Sequence, residues 1–427
     1  MLIQEGIPYS RREFVRTGLG LVGLSATVPT FLAQTVMALG RSSAGRRFGP
    51  GRGGKDGRIL VVVQLAGGND GLNTIVPYRD DAYYRARPTL AIKKDDLIRI
   101  DDAFGFHSSA KAMMSLWDDG VLGVVHGVGY PNPDRSHFVG TRIWHSASPK
   151  GRMATGWLGR YFDSNCTGTI KPDPRCGIAL DSETPLVMRG ERFMPVSVKD
   201  PENWRIFQPD ERTKKKRDRK RRRERGPVDV SKQTALDFLR RSALDATVYA
   251  KEIRTAARTT IDGAAFPDNG FAKSLRSIAR MIAADMPTSV YYASLGGFDT
   301  HAGQTRSHAN VLRTVSEGLH AFVDALRRTG NLERTLVLTF TEFGRRVAEN
   351  ASGGTDHGAA GPMFLIGGAV RGGFHGTMPS LGDLHRGDLK HNVDFRQIYA
   401  TVLREWMGGD ADRILGAHWD SLPILNV

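Results

Sequence analysis

Ile59-Leu60-Val61-Val62-Val63-Gln64-Leu65, followed at once by Ala66-Gly67-Gly68-Asn69-Asp70-Gly71, decides how this chain folds. Seven residues that are almost all apolar and β-branched have no polar face to turn to water. Such a run reads as a strand buried on both sides, which is the habit of parallel sheets. The glycines stop it and let the backbone turn sharply. A carboxylate, Asp70, is left just past the strand end, and open α/β sheets bind their ligands there.

Working outward, Val121–His126, Ser289–Leu295, Thr335–Thr341 and Met363–Ile366 are similar apolar runs, each bounded by Gly, Pro or polar residues. Helical periodicity fills the gaps over Ser109–Trp117, Val230–Thr259, Phe271–Ala284 and Ser307–Arg328. Asp394 is placed to cap a helix running to about Met407. Alternation of this kind predicts an α/β protein: a doubly wound, mainly parallel sheet with helices on both faces. A chain of 427 residues, 40% hydrophobic and 25% charged, suffices for one large core of this type.

The net charge of +15 is unevenly spread. Asp210–Pro227 holds eleven Lys/Arg against four Asp/Glu and so carries +7 of it. Residues 195–229 read as a basic surface insertion, partly disordered. No aromatic residue is interleaved in Lys214–Arg225 to stack a base, which argues against a nucleic-acid partner. The basic stretch 212–225 suits peripheral contact with an anionic membrane or cell wall. Cys166 and Cys176 are the two cysteines. They are too few for a thiolate zinc site, and a disulfide or two thiols both remain open.

Ser10-Arg11-Arg12-Glu13-Phe14, ahead of a short Gly-interrupted apolar stretch, matches the twin-arginine export signal. Residues 1–40 are therefore expected to be a leader, 41–57 a flexible linker and 58–427 a single α/β domain. The expected location is periplasmic or in the cell envelope, with the twin-arginine export machinery as a partner.

Three more turns resemble the one at Asp70: Gly296-Gly-Phe-Asp-Thr-His301, Thr341-Glu-Phe-Gly-Arg-Arg346 and Gly354-Thr-Asp-His-Gly358. Together they offer Asp70, Asp299, His301, Glu342, Asp356 and His357 as metal ligands. Asp299 and His301 are two residues apart, so in extended backbone both face one way. Each could do something plainer: Asp70 could close an Asx-turn and the histidines could lie on the surface. Mixed oxygen and nitrogen donors suit one or two divalent ions, Zn²⁺ or Mn²⁺ first, with Mg²⁺ or Ca²⁺ if carboxylates dominate. Arg345 and Arg346 are candidates to hold a phosphate or sulfate group. Pro133-Asp-Arg-Ser-His-Phe138 opens a helix, where Ser136 is the candidate nucleophile and Arg135 a further anion contact. Ser136 could equally be a simple helix cap.

These motifs, in this order, resemble a bacterial family of twin-arginine-exported proteins known as domain of unknown function 1501. The carriers are the Ser10–Phe14 leader, Leu65–Pro77, Arg135–Phe138, Gly297–Gln304, Thr341–Arg346, Gly354–Gly358 and Asp394–Tyr399. That family looks like a distant branch of the alkaline phosphatase and sulfatase superfamily. The resemblance implies a metal centre at the strand ends, with Asp70 as the first ligand and Ser136 as nucleophile. Asp299 and His301 would follow. Either Glu342 with His357, or the Asp356-His357 pair with His375 or His391, would complete the set. Phe343 stands where the superfamily has a histidine, a departure that bears on a second metal.

Two functions follow as expectations. The first is an exported metal-dependent hydrolase of phosphate or sulfate esters. The second is a non-catalytic exported protein of the same fold that binds an anionic polysaccharide or cell-surface polymer.

Overall fold

The computed structural model describes residues 57–149, 153–165, 173–204 and 248–427. The expected leader, nearly all of the linker, Cys166 and the basic run lie outside the described residues. So does the first part of the expected 230–259 helix, of which residues 248–257 are helical. Among the described residues no helix is long and apolar enough to cross a membrane.

The first strand, β1 (Ile59–Leu65), is buried along its whole length, as its composition requires. The chain then forms β2 (Ile75–Val76), β3 (Leu97–Arg99) and β4 (Gly105–His107), a small antiparallel sheet. Next come β5 (Leu122–Gly129), β6 (Gly177–Ala179) and β7 (Val196–Ser197), then β8 (Val290–Leu295), β9 (Thr335–Phe340) and β10 (Gly361–Ile366). The last strands are β11 (Gly373–His375), the hairpin of β12 (Leu384–His385) with β13 (Asp388–Leu389), and β14 (Val393–Asp394).

Nine strands form one sheet in the order β11-β5-β10-β9-β1-β8-β6-β7, with β14 also paired to β5. β1 runs parallel to both β8 and β9. β10 is antiparallel to its two neighbours, β9 and β5, and is the one reversed strand of this sheet. The sheet is therefore mainly parallel, as the sequence predicts. The reversal of β10 is not visible in Met363–Ile366, because an apolar run buried on both faces looks the same in either direction.

Side chains alternate across β1 with the period of two that a strand imposes. Ile59, Val61, Val63 and Leu65 enter one core, beneath the helices Lys111–Asp118, Gly270–Ala283 and Gln304–Arg328. Leu60 and Val62 enter the other, beneath His137–Ser146, Trp157–Asn165 and Phe395–Thr401. This is the doubly wound arrangement. Asp394 caps its helix with a full capping box, accepting from Arg396 N while Gln397 reaches back to the cap.

One boundary differs from expectation. The basic insertion begins later than residue 195, because Val196–Ser197 pairs with β6 and Val196 and Val198 sit in the core. Two- and three-residue strands carry too little pattern to be read from sequence.

The register sets Leu65 level with Leu295 and Gln64 level with Phe340. Three adjacent strands, β8, β1 and β9, thus end side by side. Their next residues are the Asp299, Asp70 and Glu342 turns.

Candidate metal centre

Asp299 follows β8 and is the hub. His357 Nε2 and His301 Nε2 each lie 3.1 Å from its Oδ1, and His137 Nε2 lies 3.3 Å from its Oδ2. His301 Nε2 and His357 Nε2 are 2.8 Å apart. His137, Asp299 and His357 can all offer one atom to a common ion. His301 Nε2 adjoins this trio, against His357 Nε2 and the same Asp299 oxygen.

The far sides of the rings show which nitrogen carries the proton. His357 Nδ1 is 2.7 Å from the Arg135 carbonyl, which can only accept, so Nδ1 donates. His301 Nδ1 lies 3.1 Å from Asp356 Oδ1. Hydrogen bonds from Asn350 and His301 hold the Asp356 carboxyl below its usual range, so it too accepts. His137 Nδ1 is 2.8 Å from Glu342 Oε1, which also accepts from Gly67 N. Assigned from this network, the outer nitrogen of each ring meets an acceptor and each Nε2 faces Asp299.

Burial, helped by Arg345 and His137 nearby, pushes the His357 pKa down against the pull of the Arg135 carbonyl and Asp299. Partial burial would raise Asp299, but hydrogen bonding from Arg345 and His357 and the nearby charges outweigh it, and its pKa falls to about 2.

The Nε2 atoms of His137, His301 and His357 gather about the Asp299 carboxylate with contacts of 2.8–3.3 Å, a crowding that a cation between them would relieve. Ligand bonds of about 2.0–2.2 Å in tetrahedral geometry leave ligand atoms roughly 3.3 Å apart, close to these separations. The carboxylates and carbonyl behind the rings are the outer partners that commonly orient metal-bound histidines. Glu342 Oε2 adds a buried carboxylate oxygen with no hydrogen-bond donor. The donor set fits a divalent ion.

Several expected residues stand elsewhere. Asp70 is fully engaged below the cluster. Arg87 bridges its two oxygens at 2.6 and 2.9 Å, and Gln304 donates to it as well. Burial would raise this carboxyl, but the charge and hydrogen bonds of Arg87 bring it below its usual value. Both oxygens are thereby taken, and Asp70 acts as a strut instead of the expected ligand. Glu342 and Asp356 sit one step behind the cluster, each gripping the outer nitrogen of a histidine.

Arg345, expected to hold substrate, is buried and spends its guanidinium inside the protein. It donates to the carbonyls of Gly67, Gly68, Phe298 and Thr355 and to Asp299 Oδ1. It ties the β1 turn to the β8 turn. Gly67 allows this approach: its φ is +121°, and a Cβ there would lie 2.4 Å from Asp299 N.

Arg135 and Arg346 remain partly exposed and share Asp388, Arg135 by a direct ion pair and Arg346 at 3.8 Å. Ser136 is exposed at the N-cap of the His137–Ser146 helix, and its side chain makes no capping bond. The simple-cap reading therefore loses its support. Phe343 stacks on His357 with ring centres 4.3 Å apart and lies 5.0 Å from His137. An apolar ring thus packs directly against two histidines of the cluster.

His137 was the residue that sequence reasoning missed. It lies in the quoted Pro133–Phe138 stretch, where Ser136 drew the reading. The signal was a fifth strand-end turn, after β5, that carries a histidine. Gln304 was missed too. Its Oε1 accepts from Thr300 Oγ1 at 3.0 Å and from Thr355 Oγ1 at 2.6 Å, so it clamps the two loops that carry Asp299, His301 and His357.

Comparison with curated proteins gives no match. Among solved structures, the chain is similar to Ps i-CgsB, at 10% identity over 85% of this chain and 75% of that one, with a TM-score of 0.39. It is similar to the PsFucS1 sulfatase from Pseudoalteromonas sp., at 11% identity over 92% and 75%, with a TM-score of 0.37. It is also similar to the lipoteichoic acid synthase LtaP from Listeria monocytogenes, at 11% identity over 90% and 81%, with a TM-score of 0.32. At such identities and TM-scores the chemistry of the site alone carries the functional reading. The family described as "Protein of unknown function (DUF1501)" matches residues 121–421, from β5 through the last helix and across His137, Asp299, His301 and His357. The chain belongs to that family.

Proposed function

We propose that this protein is an exported, metal-dependent hydrolase of phosphate or sulfate esters. The observation that carries the reading is the convergence of His137, His301 and His357 on Asp299, each ring held by an acceptor at its outer nitrogen. A nitrogen-rich set of this kind favours zinc, with manganese next.

Asp299, His137, His301 and His357 would hold the ion, and a divalent ion supplies Lewis-acid polarisation of an ester oxygen. The chain's own residues do the rest. Glu342 and Asp356 keep the protons on the outer nitrogens of His137 and His301. Arg135 and Arg346 hold the charged oxygens of the ester group, which guanidinium matches in shape. Ser136 presents its hydroxyl at the start of a ten-residue helix, where the dipole favours developing negative charge. Arg345 and Gln304 fix the loops so that little reorganisation accompanies reaction.

The leader Ser10–Phe14 supports export by the twin-arginine route to the periplasm or cell envelope. The 212–225 stretch suits contact with an anionic envelope surface. The test is hydrolysis of p-nitrophenyl phosphate and p-nitrophenyl sulfate by the full chain. Turnover that a chelator abolishes and added zinc restores supports the proposal, and turnover indifferent to chelator contradicts it.

Phe343 favours a second reading. With an apolar ring beside the cluster, a single ion could serve binding of an anionic polymer without chemistry. Stoichiometric metal with no turnover on either ester would support that alternative.

A further inference from the structure

Beside the cluster lies an open depression of roughly 300 Å³. Two of its walls are chain segments that also lead to His137 and His357. Tyr130, Asn132 and Pro133 come from the loop that continues to Arg135 and His137, and Ala359 follows Asp356 and His357. The β12–β13 hairpin and the residues after it close the far side with His385, Asp388, Lys390 and His391. The volume lies at the lower edge of the range for small-molecule sites, about 300–1,000 Å³. A lone phosphate or sulfate group does not need that room.

The lining mixes hydrogen-bond donors and acceptors. Asn132 does both, Lys390 Nζ pairs with Asp383 and keeps further N–H donors, and His385 and His391 add ring nitrogens. Asp388 is buried, yet its Oδ1 receives no hydrogen bond, and Arg346 Nε stays 3.8 Å away. Arg135 and Arg346 both pair with Asp388, which lines the depression. A purely cationic groove would suit any polyanion. A depression of mixed donors and acceptors, with Tyr130 in its wall, suits a chain rich in hydroxyls, which both donate and accept.

Resting on the hydrolase reading, we propose that the depression is an extension subsite for an anionic glycan. One ester-bearing sugar lies at the cluster, and the next sugar units occupy the space between Asn132 and His391. The substrate is therefore a charged oligosaccharide or polysaccharide, and a small monoester is handled without the subsite.

The test uses the full chain loaded with zinc and chondroitin sulfate oligosaccharides of two, four and six sugar units. Malto-oligosaccharides of equal length, long-chain polyphosphate and inorganic sulfate serve as controls. Affinity is read by titration calorimetry. It should rise with sulfated chain length and exceed that for every control. Asn132→Ala and Lys390→Ala, on different loops, should each lower hexasaccharide affinity roughly three- to tenfold, the effect of one lost hydrogen bond. Turnover of p-nitrophenyl esters and the melting temperature should stay as in the wild type. Polyphosphate bound as tightly as the glycan, or affinity independent of both substitutions, would overturn the proposal. Loss of ester turnover with length-dependent glycan binding intact would strike the hydrolase reading and leave the subsite standing.

Discussion

Asp70→Asn separates a strut from a ligand. Arg87 has a fully buried side chain, and its guanidinium also reaches Asn73 Oδ1, Val347 O and Arg346 O. Asp70 is the carboxylate it pairs with. The substitution keeps the shape but removes that negative charge and leaves a guanidinium buried without compensation. Breaking a buried pair in this way costs about 3–5 kcal/mol, a large part of the roughly 5–15 kcal/mol that holds a domain folded. The pH dependence has a defined sign. Against the opposing effect of burial, the Arg87 guanidinium holds the folded-state pKa of Asp70 below the ordinary carboxylate range. The contribution of its carboxylate is therefore complete above that range and is lost as pH falls through the folded pKa. Equilibrium urea unfolding of wild type and variant at neutral pH should differ by the stated amount, and the difference should shrink in acid below the usual carboxylate range. Bound zinc should remain stoichiometric in the variant, because Asp299 and the three histidines around it are untouched. Unchanged stability together with lost metal would refute the strut and return Asp70 to the ligand set.

Glu342→Gln weakens the grip on His137 Nδ1 and should reduce zinc affinity about 10–100-fold, measured by competition with a chromophoric chelator. Ser136→Ala should abolish ester turnover while zinc content stays at the wild-type level, read side by side in one preparation. Protons compete for the same ring nitrogens, so zinc affinity should fall as pH falls through the histidine range, with Asp299 still ionised down to about pH 2. Gly67→Ala meets both a φ of +121° and a backbone atom at 2.4 Å. It should lower stability by more than about 1 kcal/mol, measured by urea unfolding.

The sheet was legible because β1 is apolar at nearly every position, and burial on both faces demands that. The placing of Asp299 and His301 near Asp70 was legible because their Gly-rich turns follow strands that end level with one another. The rest required contacts that sequence spacing does not encode. Arg87 lies 17 residues after Asp70 in an unremarkable stretch, yet it takes both Asp70 oxygens. Arg345 reads as an exposed anion contact, but the approach of Gly67 to Asp299 draws it into the interior. The roles of Glu342 and Asp356 also turn on reach. A carboxylate two bonds too far back meets the outer nitrogen of a histidine and orients it, whereas the same residue placed forward would be a ligand. His137 escaped notice because a helix start offers several polar residues, and only the fold decides which one faces Asp299.

The central claim is a metal ion held by His137, Asp299, His301 and His357. Elemental analysis of the purified full chain beside Asp299→Ala and His357→Ala tests it most directly. The account predicts about one equivalent of zinc or manganese in the wild type and its loss in both variants, with each variant still folded by circular dichroism. A wild-type protein that holds no divalent metal after incubation with zinc, or variants that hold as much as the wild type, would contradict it.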